Sequence, residues 1–70
     1  MIDRDYALEV RDAGLKAISD LSRALNIGAN RCSTQDYEKI KRGVGLSIGK
    51  IQCDLLDVLY EQYPELDDLR

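Results

Sequence analysis

The sequence predicts an all-α protein, folded as an antiparallel two-helix hairpin that pairs with a second copy into a four-helix bundle. Three observations carry the fold. Apolar residues recur every three or four positions from residue 3 to residue 27. A short stretch rich in turn formers, residues 28–33, interrupts them. The same rhythm then resumes from about Thr34 and stops at Tyr63, before the single proline, Pro64. Spacing near 3.6 residues held over several turns marks an amphipathic helix, and proline ends one.

Helix one is expected over residues 3–27. On a helical wheel Tyr6, Val10, Ala13, Gly14, Ala17, Leu21, Ala24 and Leu25 fall on one side. Ala7 and Ile18 widen that side, and Leu8 and Leu15 widen it further. The opposite wedge holds Glu9, Asp12, Lys16, Ser19, Asp20 and Arg23. Asp3 and Asp5 sit at the positive end of the helix dipole, where carboxylates are favoured.

The turn is expected over residues 28–33, with Gly28 or Asn30 taking the left-handed conformation that closes a helix. Ser33 and Thr34 offer an N-cap, and Asp36 stands three residues after Ser33 as in a capping box. A connection this short makes the helices antiparallel neighbours. Helix two follows from about 34 to 63, with a stripe of Tyr37, Ile40, Val44, Ile48, Ile51, Leu55, Val58 and Leu59. Residues 64–70 are expected as a short, frayed acidic tail.

Gly43, Gly45 and Gly49 crowd helix two, each costing roughly 1 kcal/mol relative to alanine. A break near Gly43 to Gly45, giving three helices, is the alternative. The stripe keeps its phase across the glycines, which favours one unbroken helix. With the turn centred near residue 31, Ala17 would lie near Gly45 and Ala13 near Gly49. Close helix packing through these four small residues follows, and Gly49→Leu would then cost about 1–3 kcal/mol by wedging the helices apart.

A second apolar cluster on helix two, Leu46, Gly49, Cys53, Leu56 and Tyr60, lies away from the stripe. An isolated hairpin needs one stripe per helix, so the surplus marks an interface. A two-fold pair of hairpins is the simplest way to cover it. The expected interface residues are Leu8, Leu15, Leu46, Cys53, Leu56 and Tyr60. Binding of a different protein through the same face is the alternative partner reading.

Composition narrows the chemistry. The chain is 70 residues long with 13 acids, 10 bases and no histidine, a net charge of −3. One small domain is all that length supports, and such domains lean on packing or association. No stretch is apolar and long enough for a bilayer, and the start lacks the pattern of a signal peptide, so the expected address is the cytoplasm. Cys32 and Cys53 would lie about 30 Å apart along the second helix, too far for a bond within one chain. No metal-ligand spacing, cofactor motif or activated nucleophile is present, so neither cofactor nor catalysis is expected.

Bases gather at Arg31, Lys39, Lys41 and Arg42, near the turn. They are the candidate contacts in a rival reading as an RNA- or DNA-binding regulator, although the acidic total weighs against it. The architecture resembles small dimeric hairpins that regulate plasmid copy number by binding RNA, without any shared motif. A further rival is an inhibitor, immunity or antitoxin-like subunit whose acidic C-terminal half meets a basic protein.

Overall fold

The computed structural model describes residues 1–67; Asp68, Leu69 and Arg70, the end of the expected tail, lie outside the described residues. Helix α1 spans Arg4–Gly28. The Asp3 side chain caps it, accepting a hydrogen bond from the Tyr6 N–H at 3.1 Å. Helix α2 spans Thr34–Lys50, capped by Ser33, whose Oγ accepts from the Asp36 N–H at 3.1 Å. A π-helical segment, Ile51–Leu56, continues α2 without a break. Helix α3, Asp57–Gln62, completes the second rod, and a 3-10 turn, Pro64–Leu66, follows it. No strand occurs among the described residues.

The two rods run antiparallel, and contacts at both ends show it. Near the turn the Tyr37 hydroxyl donates to the Leu25 carbonyl at 3.1 Å. At the other end the Tyr63 hydroxyl donates to the Ile2 carbonyl at 2.7 Å. The hairpin measures 46 × 19 × 16 Å. Its turn closes differently from the expectation at Gly28 or Asn30. No described residue has a positive φ, and Ala29 is right-handed. The Arg31 N–H instead reaches back to the Gly28 carbonyl at 3.1 Å, an i to i−3 bond that tightens the last turn.

Helix α2 runs straight through Gly43, Gly45 and Gly49, so the three-helix alternative with a break there does not occur. The irregularity lies later, in the π segment. The Asp57 N–H bonds the Gln52 carbonyl, five residues back where an α-helix reaches four. One residue is thereby absorbed without advancing the face. Upstream, Val44, Ile48 and Ile51 point inward as expected; downstream the inward positions become Leu56 and Leu59, with Tyr63 half-buried beyond them. Leu55 and Val58, placed in the stripe by an unbroken 3.6-residue period, are 39% and 44% exposed. Leu56, placed on the outer face by that period, is 3% exposed. Ile40 also leaves the stripe, 52% exposed.

The main core cluster is Ala7, Leu56, Leu59 and Leu66, with Ile2, Leu8, Val10, Leu15, Ile18, Ile51, Tyr60 and Tyr63 packed against it, and Val44 is buried apart from that cluster. Each buried leucine contributes on the order of 1.5–3 kcal/mol. Leu66 belongs to the segment expected to fray. It is buried because the chain folds back after Pro64 and lays that side chain over the end of α1. Arg11 Nη1 donates to the Leu66 carbonyl at 3.0 Å, Arg4 pairs with Glu65 at 3.4 Å, and the Ile2 N–H donates to Gln62 Oε1 at 2.9 Å.

Close packing of the rods occurs at Gly14, not at Gly45 or Gly49. A β-carbon built on Gly14 would come within 3.0 Å of Leu56 Cδ2 and 3.6 Å of Ile51 Cγ2. On Gly45 or Gly49 it would meet nothing within 4 Å. The expected pairing of Ala17 with Gly45 and Ala13 with Gly49 is therefore not made. Gly14 packs against Leu56, and Ala13 is exposed. Gly45 and Gly49 precede the π segment, and they stand on α2 away from the inward positions Val44, Ile48 and Ile51.

Candidate association surface

The hairpin has two broad sides, separated by the core stripe of Ala7 and Gly14 on α1 and of Val44, Leu56 and Leu59 on the second rod. One side carries a shallow groove of about 390 Å³ lined by Leu15, Gln52, Cys53, Leu56, Asp57, Tyr60 and Asp67. Four of the six expected interface residues meet there: Leu15, Cys53, Leu56 and Tyr60. Little apolar surface remains on them. Leu56 is buried by its own chain, while Leu8, Leu15 and Tyr60 are half-buried against the core. Cys53 is exposed. Leu46 is 64% exposed, but it does not line the groove. Leu56, expected at the interface, is instead covered by its own hairpin, because the π segment turns it toward α1; Tyr60 is half-buried.

The opposite side is the more open one. On α1, stepping the other way round the helix from Leu8 and Leu15, come Tyr6, Val10, Ala13, Ala17 and Ala24, at steps of four, three, four and seven. On the second rod, away from Leu56 and Tyr60, come Ile40, Gly43, Ser47, Ile51, Leu55 and Val58, at steps of three or four. Positions three or four apart on a helix share a face. None of these eleven residues is charged. Tyr6 is 60% exposed, and with Ile40, Leu55 and Val58 it makes up most of the large apolar surface left open on the rods. Ala13, Ala24, Gly43 and Ser47 are exposed and small, which leaves the side flat. Sequence reasoning passed over this side because it assigned Tyr6, Ile40, Leu55 and Val58 to the core. The signal that would have found it is the absence of charge along both rows.

On this uncharged side, charge stays outside the two rows. Lys16 and Arg23 flank Asp20 on α1 at 3.4 Å each. On the second rod Lys50 Nζ lies 2.8 Å from Asp54 across the start of the π segment. That contact, first through the hydrogen bond and then through the charge of Asp54, raises the Lys50 ammonium above its ordinary pKa of 10.5.

The basic residues near the turn do not form one patch. Lys39 and Arg42 line an open depression with Thr34, Gln35 and Glu38, so an acid sits among them. Lys41 is two residues from Lys39 on the same helix and faces away from it. Arg31 is exposed in the turn. Among the described residues, no three Cys, Asp or Glu side chains converge where they could hold a metal ion. No helix of the described residues is long and apolar enough to cross a membrane. Compared with family models, with curated proteins and with solved structures, the chain has no match.

Proposed function

We propose that this protein acts by association and not by catalysis, as a small interaction or regulatory module whose hairpins pair through the uncharged side into a homodimeric four-helix bundle. The observation that supports this reading is that side itself: two parallel rows of uncharged residues, with Tyr6, Ile40, Leu55 and Val58 open to water. Monomeric proteins rarely leave a contiguous apolar surface of that extent uncovered. Alanine and glycine between the larger side chains suit helices that approach closely. A broad side of 46 by 19 Å bounds the contact at about 870 Å², so the ~800 Å² that each partner gives to a stable interface would use nearly all of it. Two exposed free thiols accord with a reducing compartment, the cytoplasm.

Sedimentation velocity at tens of micromolar tests the reading. The parent chain should sediment as a dimer. The double variant Tyr6→Ser, Ile40→Gln should sediment as a monomer with its far-ultraviolet circular dichroism retained, since both side chains are more than half exposed in the hairpin. Cys53→Ser, on the grooved side, should leave the dimer intact. A monomeric parent would refute the proposal.

A further inference from the structure

The hairpin is electrically lopsided along its length. Its turn half, residues 16–50, carries seven bases against three acids, a formal charge of +4. Its open half, residues 1–15 and 51–67, carries nine acids against two bases, a formal charge of −7. Gly14 against Ile51 places the division at the same height on both rods. The segregation is sharpest on the second rod, where residues 39–50 contain four bases and no acid, and residues 51–67 five acids and no base.

From this we infer that the partner on the uncharged side is a second copy lying head to tail, its turn against the open end of the first. The inference rests on the self-association proposed above and adds its geometry. Two hairpins stacked broad side to broad side by a two-fold axis have two arrangements. With the axis along the rods, both turns lie at one end. Charges of +4 then meet +4, and −7 meets −7. With the axis across the rods, α1 lies antiparallel on α1, the second rod on the second rod, and +4 meets −7 at both ends. The rod is 46 Å long, several times the Debye length of about 8 Å at physiological salt, so each half responds to what lies opposite it. Like charges across an interface cost several kcal/mol, whereas complementary ones set orientation. The charges ring an apolar surface and are not buried in it, so orientation is gained without a large desolvation penalty. The two-fold axis passes near Gly49 and Lys50. Ile40 of each copy then lies opposite Val58 of the other, and the two apolar rows stay in register.

Cys32 is exposed at the turn and supplies a native label site. A spin label there in a Cys53→Ser background allows the distance between the two turns of a dimer to be measured by pulsed electron resonance. Head-to-tail packing predicts a separation close to the 46 Å rod length. A separation below about 20 Å, as expected for turns on neighbouring helices packed 8–10 Å apart, would overturn the orientation and leave the dimer standing. A monomer by sedimentation would overturn both. The paired reversal Lys41→Glu, Arg42→Glu brings the turn half to zero, and should weaken the dimer on the order of tenfold at low salt, less at high salt. A dimer tightened by that reversal would also refute the arrangement, because it would mean that turn halves face each other.

Discussion

Replacing the glycines one at a time separates rods that pack closely at Gly14 from rods that pack closely at Gly45 and Gly49. In the middle of a helix, glycine to alanine is favourable by about 1 kcal/mol, because the glycine backbone loses more freedom on folding. That gain is common to Gly14, Gly45 and Gly49, so differences among the three report on space. At Gly45 and Gly49 a new β-carbon meets nothing within 4 Å. Each alanine should stabilise the fold by about 1 kcal/mol, and the pair by about 2 kcal/mol. At Gly14 the new carbon stands 3.0 Å from Leu56 Cδ2, and Leu56 is 3% exposed. The leucine must yield by a few tenths of an ångström inside a packed core, so Gly14→Ala should fall between neutral and about 1 kcal/mol destabilising. Gly14→Leu should lose about 1–3 kcal/mol.

Urea denaturation followed by circular dichroism at one fixed protein concentration measures the series, with thermal midpoints as a second readout. A 60–100-residue domain moves about 4–8 °C per kcal/mol. The steric expectation drawn from sequence has the opposite sign at Gly49, where added bulk would push the rods apart. Loss of 1 kcal/mol in Gly49→Ala, or a clear gain in Gly14→Ala, would therefore restore that register and refute the one described here.

Two further outcomes follow from single contacts. Leu56→Ala removes a core side chain and should cost about 2–5 kcal/mol, a large share of what a domain this small possesses; a shift under 1 kcal/mol in urea unfolding would mean that the side chain is not buried. The raised pKa of Lys50 adds stability that is present below pH 10.5 and disappears as pH rises through the folded value. The parent should thus unfold at a slightly higher urea midpoint than Lys50→Gln at neutral pH and lose that advantage in strong alkali, while an advantage that grew with pH would contradict the pairing with Asp54.

The helices, their caps and the antiparallel turn were legible because they depend on local chemistry. Asp3 and Ser33 cap as their types suggest, and Pro64 ends the second rod. Part of what sequence concealed follows from one local departure, while Ile40, Gly45 and Gly49 lie ahead of it. A wheel assumes a constant pitch, and the π segment violates it between Ile51 and Leu56. Beyond that point the inward face shifts, so that Leu55 and Val58 leave it, Leu56 enters it and Leu59 keeps its expected place. Leu55 and Leu56 exchange roles, as do the two broad sides of the hairpin. Nothing in Ile51-Gln52-Cys53-Asp54-Leu55-Leu56 announces a π turn, because each residue is compatible with α-helix. The fold-back at Leu66 was hidden for a related reason. Its acidic neighbours read as solvated tail, whereas one leucine after a proline was enough to return the chain to the core. The charge division between the two halves was present in the residue order from the start, and acquired meaning only once the rods were aligned.

The clasp that joins Ile2, Arg4 and Arg11 to residues 62–66 carries a consequence for biosynthesis. Its partners are separated by nearly the whole hairpin, so none of these contacts can form while α1 is the only helix made. The thirty-eight residues from Ala29 to Leu66 must emerge first, about 2–8 s at ordinary rates of translation. Throughout that interval Ala7 and its neighbours present bare hydrocarbon to the ribosome surface and to any chaperone waiting there.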